Sequence, residues 1–403
     1  MSDVLSTPLR GVYCTVVARN YLPQALALYE SIRAHEPDRQ FVILVVDGPR
    51  QDVVASRPNL RVVGLEALQL STRETLDLAT IYDVVELSTG VKPLFLKRLL
   101  DEFEQAVYLD PDTYLASPLA ELEGLIDAHN IVLTPHLLEP IPPGETFRSE
   151  INTLTVGVHN LGFCAVGRGA IPFLDWWWSH LERECLIYPL LGLFVDQKWT
   201  DIGSVMFDAH SLRHYGYNIG HWNLHERRFD RTDDGRLTME RTGEALRLFH
   251  FSGFDPKNPE GISVRQNISL EDKGLGFAAY SELAREYAAL VLNAQSELGP
   301  KPQYGFIRDL DGKPLSKRIR RTYRQDLIAG VADLPSPFVE QDRAAFARWR
   351  KTSIKRQISG ATADAAIGFK YAFPDTYSRL KSSMPGRFDR VRSKLLEESK
   401  IRR

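Results

Sequence analysis

The sequence has few cysteines, no long apolar run and almost no net charge. Its three cysteines, Cys14, Cys164 and Cys185, include no CxxC pair and exclude a closed disulfide framework. No window approaches the roughly 20 apolar residues that a membrane helix requires. The first ten residues lack the basic and apolar regions of a secretory signal. These absences predict a cytoplasmic protein in a reducing compartment.

Charge is balanced over the whole chain but not along it. The 403 residues carry 50 Lys and Arg against 52 Asp and Glu, a net charge of −2 that points to no particular partner. From residue 313 to 403, however, 22 Lys and Arg stand against nine Asp and Glu, which leaves 28 against 43 in the residues before them. An acidic body and a basic C-terminal segment predict two tasks on one chain.

Short apolar runs separated by helical periodicity dominate the start of the chain. Continuous runs at 12–18 and 41–46, with a shorter one at 60–63, are typical of strands buried on both faces of a parallel sheet. Apolar residues at helical spacing over 21–33 separate the first two runs. This alternation predicts an α/β, Rossmann-like sheet flanked by helices.

The rest of the chain continues this pattern and then changes character. We predict further strands at 106–109, 131–134, 163–166 and 246–251, and helices at 93–102, 171–184 and 276–295. Beyond Lys313, prolines and glycines interrupt short helical pieces. The predicted organisation is an α/β domain over 1–270, a helical connection packed on the core over 271–312, and a basic, mainly helical extension over 313–403.

Two aspartates follow one predicted strand. Asp110 and Asp112 stand one residue apart in Tyr108-Leu109-Asp110-Pro111-Asp112-Thr113, at the carboxyl end of the 106–109 strand, where open α/β sheets bind ligands. Paired carboxylates there suit a hard cation such as Mg²⁺ or Mn²⁺, which could also bridge to substrate phosphates. A polar turn that merely ends the strand explains the same residues equally well.

A histidine and a glycine end a later strand. His250 lies in an apolar strand, where a core histidine is the simplest interpretation. Gly253, however, would let a ligand approach the backbone closely, and Lys257 could counter phosphate charge. The residues by themselves leave both interpretations open.

Three other polar groups are ambiguous when each is taken by itself. Asp196 and Gln197 follow an apolar run, where they could face a cleft or start a helix. Asn160-Leu161-Gly162-Phe163 is a polar turn that enters a strand. Lys92 precedes the helix that Pro93 begins, and its simplest interpretation is a solvated cation.

Taken together and in this order, the motifs resemble those of GT-A fold glycosyltransferases of the family-8 retaining group, which includes glycogenin and the bacterial lipopolysaccharide galactosyl- and glucosyltransferases. The resemblance covers about residues 11–258. It implies a mixed GT-A sheet and a catalytic domain over 1–270. It also implies metal-dependent transfer of a sugar from a nucleoside-diphosphate sugar, by family habit a UDP-sugar, to a glycan or lipid-linked glycan acceptor.

The resemblance also implies a role for each matching residue. Asp110, Asp112 and His250 would hold Mn²⁺ or Mg²⁺, and Asp196 and Gln197 would lie at the reacting sugar. Asn160 would contact the sugar or acceptor. The donor would bind to Tyr13, Thr15, Asn20, Lys92, Gly253 and Lys257.

Three positions depart from the family pattern. The spacing between Gly253 and Lys257 is one residue longer than in the family. Lys92 replaces an arginine and so lacks the bidentate guanidinium, and Leu161 replaces a small polar residue.

Aromatic residues cluster between Trp176 and Trp222. Three consecutive tryptophans on the 171–184 helix cannot all face one way, so we predict packing for the Trp176–Trp178 triplet. Trp222, Asn223 and His225 combine an aromatic face with polar tips, which suits a sugar acceptor.

Two other functions fit parts of the sequence. Asp110-Pro111-Asp112-Thr113 resembles the start of haloacid-dehalogenase-type phosphatases, but a long α/β region precedes it. A glycosyltransferase-like module that binds sugar nucleotides without turnover is also possible. A covalent route through Asp196 and attack from the leaving-group side both remain open as retaining mechanisms.

The basic segment at 313–403 has two interpretations. It could attract anionic lipid and hold the protein on the inner face of the membrane, near an acceptor for surface polysaccharide synthesis. It could instead pack on the acidic body or mediate dimerisation. No nucleic-acid module is recognisable in it.

Overall fold

The chain is built on a seven-stranded sheet to which a helical C-terminal region is added. The structure is a computed structural model that describes residues 9–54, 57–143, 150–264, 268–269, 278–383 and 386. Chain contacts divide the protein into two compact units, each made of three segments. The first unit comprises Met1–Gln69, Ser88–Leu181 and Val195–Tyr304, and the second Leu70–Leu87, Glu182–Phe194 and Gly305–Arg403. The predicted domain boundaries at residues 270 and 312 stay a prediction.

The described strands alternate with helices over the first half of the chain, as the sequence pattern predicts. In chain order they are β1 (Leu9–Val17), β2 (Gln40–Val45), β3 (Leu60–Val63), β4 (Phe103–Leu109), β5 (Thr113–Leu115), β6 (Ile131–Pro135), β7 (His159–Gly167), β8 (Ile187–Tyr188), β9 (Leu193–Phe194), β10 (His210–Ser211), β11 (Phe229–Arg231), β12 (Leu237–Met239), β13 (Leu248–His250), β14 (Gly261–Ser263) and β15 (Ile268–Ser269).

The helices of the described chain are mostly short. They are α1 (Leu22–His35), α2 (Thr72–Ile81), α3 (Val84–Gly90), α4 (Lys92–Glu102), α5 (Leu122–His129), α6 (Glu150–Val156), α7 (Ile171–Glu184), α8 (Gln197–Met206), α9 (Ala278–Leu298), α10 (Lys317–Ile328), α11 (Arg343–Thr352), α12 (Ile354–Ala372) and α13 (Pro374–Ser383). The predicted start of α9 at Gly276 lies outside the described residues. Within the described residues, no helix has both the length and the apolar character that crossing a bilayer requires.

The main sheet is mixed, which confirms the predicted fold class. Its strand order is β10-β6-β7-β4-β1-β2-β3, and β7 alone among these strands runs opposite to the others. β1, β4 and β7 are almost entirely buried, as expected for strands that are covered on both faces. Because β7 is antiparallel to β4, its first residues lie beside the carboxyl end of β4.

A two-stranded sheet joins distant parts of the chain at that same end. β5, which follows β4 after a short turn, pairs antiparallel with β13. In this register His250 lies opposite Thr113. The pairing therefore places His250 next to the Asp110–Asp112 turn, although 138 positions separate His250 from Asp112 in the sequence.

The basic segment belongs to the second unit, and its first basic helix is a packing element. Arg320 on α10 is 2% exposed. Its guanidinium donates hydrogen bonds to the carbonyls of Ala79, Thr80, Tyr82, Phe306 and Leu315. Arg321 forms an ion pair with Glu86, which is fully buried. For α10, the structure thus supports the interpretation that basic residues pack inside the protein.

Replacing Arg320 with Met should destabilise the second unit. The change leaves several buried carbonyls without donors, so we expect the free energy of unfolding to fall by about 3 kcal/mol or more. Urea titration followed by far-UV circular dichroism measures it. Arg348→Met, at an exposed position on α11, is the matched control and should change stability by less than about 0.5 kcal/mol. Equal denaturation midpoints for the two variants would contradict the packing role of Arg320.

Candidate metal centre

A tight turn after β4 presents the two predicted aspartates. The Asp110 N–H donates to the Gly162 carbonyl at the start of β7 (2.8 Å), and the Asp110 carbonyl accepts from the Thr113 N–H (3.0 Å) and from Thr113 Oγ1 (2.7 Å). The Phe251 N–H donates to the Asp112 carbonyl (2.8 Å). The turn is thus fixed by β7 on one side and by the end of β13 on the other.

Asp110, Asp112 and His250 converge into one cluster, which we call the Asp-Asp-His cluster. His250 Nε2 lies 3.2 Å from Asp112 Oδ1 and 3.7 Å from Asp110 Oδ2. One ligand atom from each residue lies within 4.8 Å of the others. Two carboxylate oxygens and one imidazole nitrogen form a donor set that suits Mn²⁺ or Mg²⁺. The three side chains fit a divalent cation by both chemistry and spacing.

Two tyrosine hydroxyls hold the carboxylates in place. Tyr108 Oη donates to Asp110 Oδ1 (2.7 Å), and Tyr21 Oη donates to Asp112 Oδ2 (3.1 Å). In each aspartate the other oxygen is the one nearest His250. Burial and the charge of Asp110 raise the pKa of Tyr108 well above its usual value, so its hydroxyl stays a donor. Each tyrosine therefore points one carboxylate oxygen into the cluster.

Asn218 orients the imidazole of His250. Its Nδ2 group faces three acceptors, which are Thr134 Oγ1 (2.7 Å), Asn160 Oδ1 (3.0 Å) and the Asn160 carbonyl (3.1 Å). Asn218 Oδ1 must then accept from His250 Nδ1, 3.0 Å away. With the proton on Nδ1, the lone pair of Nε2 faces the two carboxylates. A hydrogen-bond partner on the other ring nitrogen prepares a metal-binding histidine in this way.

Glycine is required at position 162 because the ring of His250 lies against it. A Cβ atom there would lie 2.4 Å from His250 Cε1 and 2.8 Å from Asn160 Oδ1. The Gly162 N–H also donates to Asn160 Oδ1 (2.9 Å). Asn160, predicted to contact sugar or acceptor, is therefore joined through hydrogen bonds to both Gly162 and Asn218. The structure brings it to the cluster as a residue that supports His250.

Lys92 is buried, so its interpretation as a solvated cation is wrong. Its Nζ lies 2.5 Å from Asp196 Oδ2 and donates to the Leu161 carbonyl (2.8 Å), and both side chains of this ion pair are at most 3% exposed. The ammonium also lies 4.0 Å from the centre of the Tyr108 ring. Burial lowers the pKa of Lys92, but the charges of Asp196 and Asp110 outweigh it and raise that pKa overall. Lys92 thus places a positive charge between Asp196 and the cluster.

Asp196 and Gln197 are held at the start of α8. The Asp196 carbonyl accepts from Trp177 Nε1 (3.1 Å), and Gln197 Nε2 donates to the Val156 carbonyl at the end of α6 (2.9 Å). Trp177 is fully buried, as expected for at least one member of the tryptophan triplet. Asp196 is thus connected to the cluster by its ion pair with Lys92, whose ammonium contacts the Tyr108 ring. The described contact of the Gln197 amide is with α6.

The residues predicted to bind the donor lie in different environments. Tyr13 lies in the core, where its hydroxyl donates to Glu36 Oε1 (2.8 Å), and none of its described contacts is with the cluster. Thr15 Oγ1 and Asn20 Oδ1 are buried oxygens for which the described chain supplies no hydrogen-bond partner. Asn20 directly precedes Tyr21, so it lies near the cluster. Unpartnered buried oxygens of this kind are candidates for contact with a ligand.

Gly253 and Lys257 lie in the loop after β13. Gly253 has a φ of 70°, a left-handed conformation that glycine adopts readily, and its carbonyl accepts from the Val264 N–H (2.8 Å). Lys257 is exposed, and its backbone N–H donates to Asp255 Oδ1 (3.0 Å). The phosphate contact of Lys257 stays a prediction.

Of the three predicted acceptor residues, Trp222 lies against the cluster. Its ring meets the His250 ring edge-on at 5.1 Å between centroids, and Trp222 Nε1 has no hydrogen-bond partner among the described residues. Asn223 is fully buried, and its amide bonds the Gly220 N–H and the carbonyls of His136 and Asn218. These contacts position the loop, and the predicted sugar contact of Asn223 stays a prediction. His225 lines a cavity of about 320 Å³ together with Glu139 and Arg241.

Sequence reasoning missed Tyr21 and Asn218 as site residues. Tyr21 follows a predicted donor residue, but nothing local shows that its hydroxyl reaches Asp112. Asn218 has a φ of 51°, a left-handed conformation in which asparagine is enriched, but that signal indicates a turn and not a partner for His250. Both roles arise from contacts between distant segments.

The chain has a sequence relative among known proteins, although no known family profile matches it. It is similar to the uncharacterized protein YfnF of Bacillus subtilis (strain 168). The two share 28% identity over 253 residues, which cover 61% of this chain and 82% of that protein.

The chain is also similar to solved glycosyltransferase structures. The galactosyltransferase LgtC, in complex with donor and acceptor sugar analogues, is 14% identical at a TM-score of 0.38, covering 73% of this chain and 98% of that one. The glycosyltransferase GlyE of Streptococcus pneumoniae TIGR4 is 14% identical (TM-score 0.40, 74% and 66% covered). Mouse xyloside xylosyltransferase 1, in its apo form, is 12% identical (TM-score 0.37, 60% and 97% covered).

Removing one ligand should abolish tight metal binding. Asp112→Asn and His250→Ala each delete a donor atom of the cluster, so we expect the affinity for Mn²⁺ to fall by roughly 100-fold or more. Isothermal titration of the full chain with MnCl₂ measures it. Asp101→Asn, at an exposed position on α4, is the matched control. Unchanged Mn²⁺ affinity in Asp112→Asn would show that the metal assignment is wrong.

Removing the side chain that orients His250 should weaken the same site without deleting a ligand. Asn218→Gly keeps the left-handed backbone unstrained but removes the acceptor for His250 Nδ1, so we expect roughly 10- to 100-fold weaker Mn²⁺ binding. Thr134→Val removes one of the three acceptors of Asn218 and keeps the Asn218–His250 bond, so it should bind Mn²⁺ almost normally. If both variants bind the metal equally well, Asn218 does not orient His250.

Proposed function

We propose that the protein is a metal-dependent glycosyltransferase that moves a sugar, by family habit a hexose, from a nucleoside-diphosphate sugar to a glycan or lipid-linked glycan. The observation that carries the proposal is the Asp-Asp-His cluster. Its three ligands come from two separate strand ends, and each ligand is oriented by a hydrogen bond: Tyr108 and Tyr21 donate to the aspartates, and Asn218 accepts from His250. A polar turn that merely ended a strand would not need such support.

The donor would bind with its diphosphate at the cluster. Breaking the bond between the anomeric carbon and the diphosphate oxygen leaves extra negative charge on the nucleotide, which a divalent cation held by Asp110, Asp112 and His250 would stabilise as a Lewis acid. The unpartnered oxygens of Thr15 and Asn20 are suited to hydrogen bonds with the nucleotide. Lys257 would contribute a further positive charge from the neighbouring loop.

The reacting sugar would lie between the cluster and the start of α8. Its anomeric carbon becomes electron-poor in the transition state, and Asp196 and Gln197 would supply negative charge and an amide oxygen near it. Lys92 holds the Asp196 carboxylate in an ion pair, so that carboxylate is positioned before any substrate binds. Because this ion pair already engages the carboxylate, it favours electrostatic stabilisation by Asp196 over a covalent bond between Asp196 and the sugar. Retention of configuration at the anomeric carbon would then come from acceptor attack on the side from which the leaving group departs.

The acceptor would approach over Trp222. Indole faces are favourable surfaces for sugar rings, and Trp222 is in contact with the metal-binding histidine. An acceptor sugar placed there would lie near the site of transfer. We propose a role in surface polysaccharide or lipopolysaccharide synthesis on the cytoplasmic side, on the basis of the resemblance of the motifs.

A panel of donors tests the proposal directly. We expect nucleoside diphosphates, and UDP above the others, to raise the Tm of the full chain when Mn²⁺ is present and not when it is absent. UDP-sugars should then be consumed, by transfer to a glycan or by slow hydrolysis. Stabilisation without any consumption of sugar nucleotide would indicate a binding module, and release of phosphate from simple phosphomonoesters would indicate a phosphatase.

Replacing Gln197 should slow the chemical step more than it weakens donor binding. If the amide oxygen interacts most strongly with the transition state, Gln197→Ala lowers kcat by about 100-fold while the Kd for the nucleotide changes by less than about threefold. Asp196→Asn should behave in the same way, and its thermal melting separates lost chemistry from lost folding. Gln341→Ala, at an exposed position of the second unit, is the matched control. A loss of nucleotide affinity with unchanged kcat would assign Gln197 to donor binding.

A further inference from the structure

The basic C-terminal segment contains two populations of cations. On α10, and at some positions of α11 and α12, cations are neutralised within the second unit. Ion pairs join Lys317 to Asp83, Arg318 to Asp364, Arg321 to Glu86, Arg343 to Asp311, Arg350 to Asp309 and Arg356 to Asp326. These pairs account for much of the positive charge before residue 357.

A second population is exposed and has no acidic partner among the described residues. From Arg348 to Leu380 the sequence has seven Lys and Arg and two Asp. Two of these arginines are paired as above, and Asp364 is used by Arg318. The cations that remain are Arg348, Lys351, Lys355, Lys370 and Arg379. The surface that these cations form carries five positive charges, and the acidic residue on it is Asp375.

An apolar stripe runs along the outer side of α12, among these cations. Ile354, Ile358, Ala361, Ala365 and Phe369 recur every three or four residues and are all exposed. The opposite side of the helix is buried through Gly360, Ala363 and Ile367. Ile354 and Ile358 are 51% and 61% exposed, which is unusual for isoleucine in a helix that already buries its other side.

Further exposed aromatic residues lie where α12 leads into α13. Among the large exposed hydrophobic side chains of the described residues, the three aromatic ones are Phe369, Tyr371 and Phe373 (37%, 69% and 56% exposed), with Leu380 following on α13. Aliphatic and aromatic side chains bordered by Lys and Arg are typical of helices that lie in the interfacial region of a membrane.

We propose that the outer surface of α11–α13, which we call the tail surface, binds an anionic lipid bilayer. Charge complementarity selects this occupant, because each exposed cation near an anionic leaflet favours binding while the isoleucine and phenylalanine side chains enter the headgroup boundary. A second copy of the chain would bring two surfaces of the same charge together. A nucleic acid would satisfy the cations but would leave Ile354 and Ile358 in water. The proposal does not depend on the proposed transferase activity.

Vesicle co-sedimentation of the full chain tests the tail surface. The protein should bind vesicles of phosphatidylcholine with phosphatidylglycerol, should not bind phosphatidylcholine alone, and should dissociate as salt is raised. Lys351→Glu with Lys355→Glu should lower the partition coefficient by roughly 30-fold or more. The matched control is Arg236→Glu with Arg285→Glu, two exposed arginines of the first unit, and it should bind almost normally.

The apolar stripe is tested separately from the charges. Ile358→Ser with Phe369→Ser should weaken binding to anionic vesicles by roughly 10-fold or more, whereas Val205→Ser with Leu292→Ser, exposed in the first unit, should not. Circular dichroism confirms that each variant is folded. The proposal is overturned if the wild type ignores anionic vesicles at low salt, or if the control variants lose binding equally. It is also overturned if the tail variants change only self-association or binding to duplex DNA.

Discussion

The candidate site depends on one backbone register, the antiparallel pairing of Thr113 with His250. Asp110 and Asp112 follow the carboxyl end of β4 in the middle of the main sheet, but two aspartates alone leave most of the coordination of a cation to other groups. β13 adds a nitrogen ligand by pairing with the strand that follows the aspartates. A shift of one residue in this pairing would turn His250 to the opposite face of the small sheet and disperse the three ligands.

Polar side chains near the Thr113–His250 pair form a continuous hydrogen-bond network in which each member has a defined partner. Asn218 links His250 to Asn160, Asn160 links to Gly162, and the Gly162 carbonyl accepts from Asp110. Buried polar groups are costly when unpaired, so a network with most of its bonds satisfied holds its members rigidly. The aspartates are therefore preorganised by the protein, which is what a site that stabilises developing charge requires.

The fold and part of the site follow from local pattern, and the rest does not. Buried strands give continuous apolar runs, and ligands bind where such strands end, so the sheet and the position of Asp110 and Asp112 were predictable. The role of Lys92 was ambiguous because its sequence neighbours do not indicate a partner. Its buried ammonium forms an ion pair with Asp196, which lies far along the chain. Asn223 has a polar tip suited to sugars, but three backbone partners use that amide to hold a loop. Contacts of this kind depend on tertiary structure.

The uneven distribution of charge along the sequence is a second case in which tertiary contacts decide what the sequence alone leaves open. A balance of +13 over 91 residues favours an anionic partner as long as every cation is assumed to be free. In the second unit, many of these cations instead hold helices together, as Arg321 does with Glu86. Pairing removes charge from α10 and leaves the unpaired cations around the exposed side chains of α12 and α13. The remaining charge is smaller than the sequence total, but it is concentrated next to Ile358 and Phe369, where charge and apolar area act on the same partner.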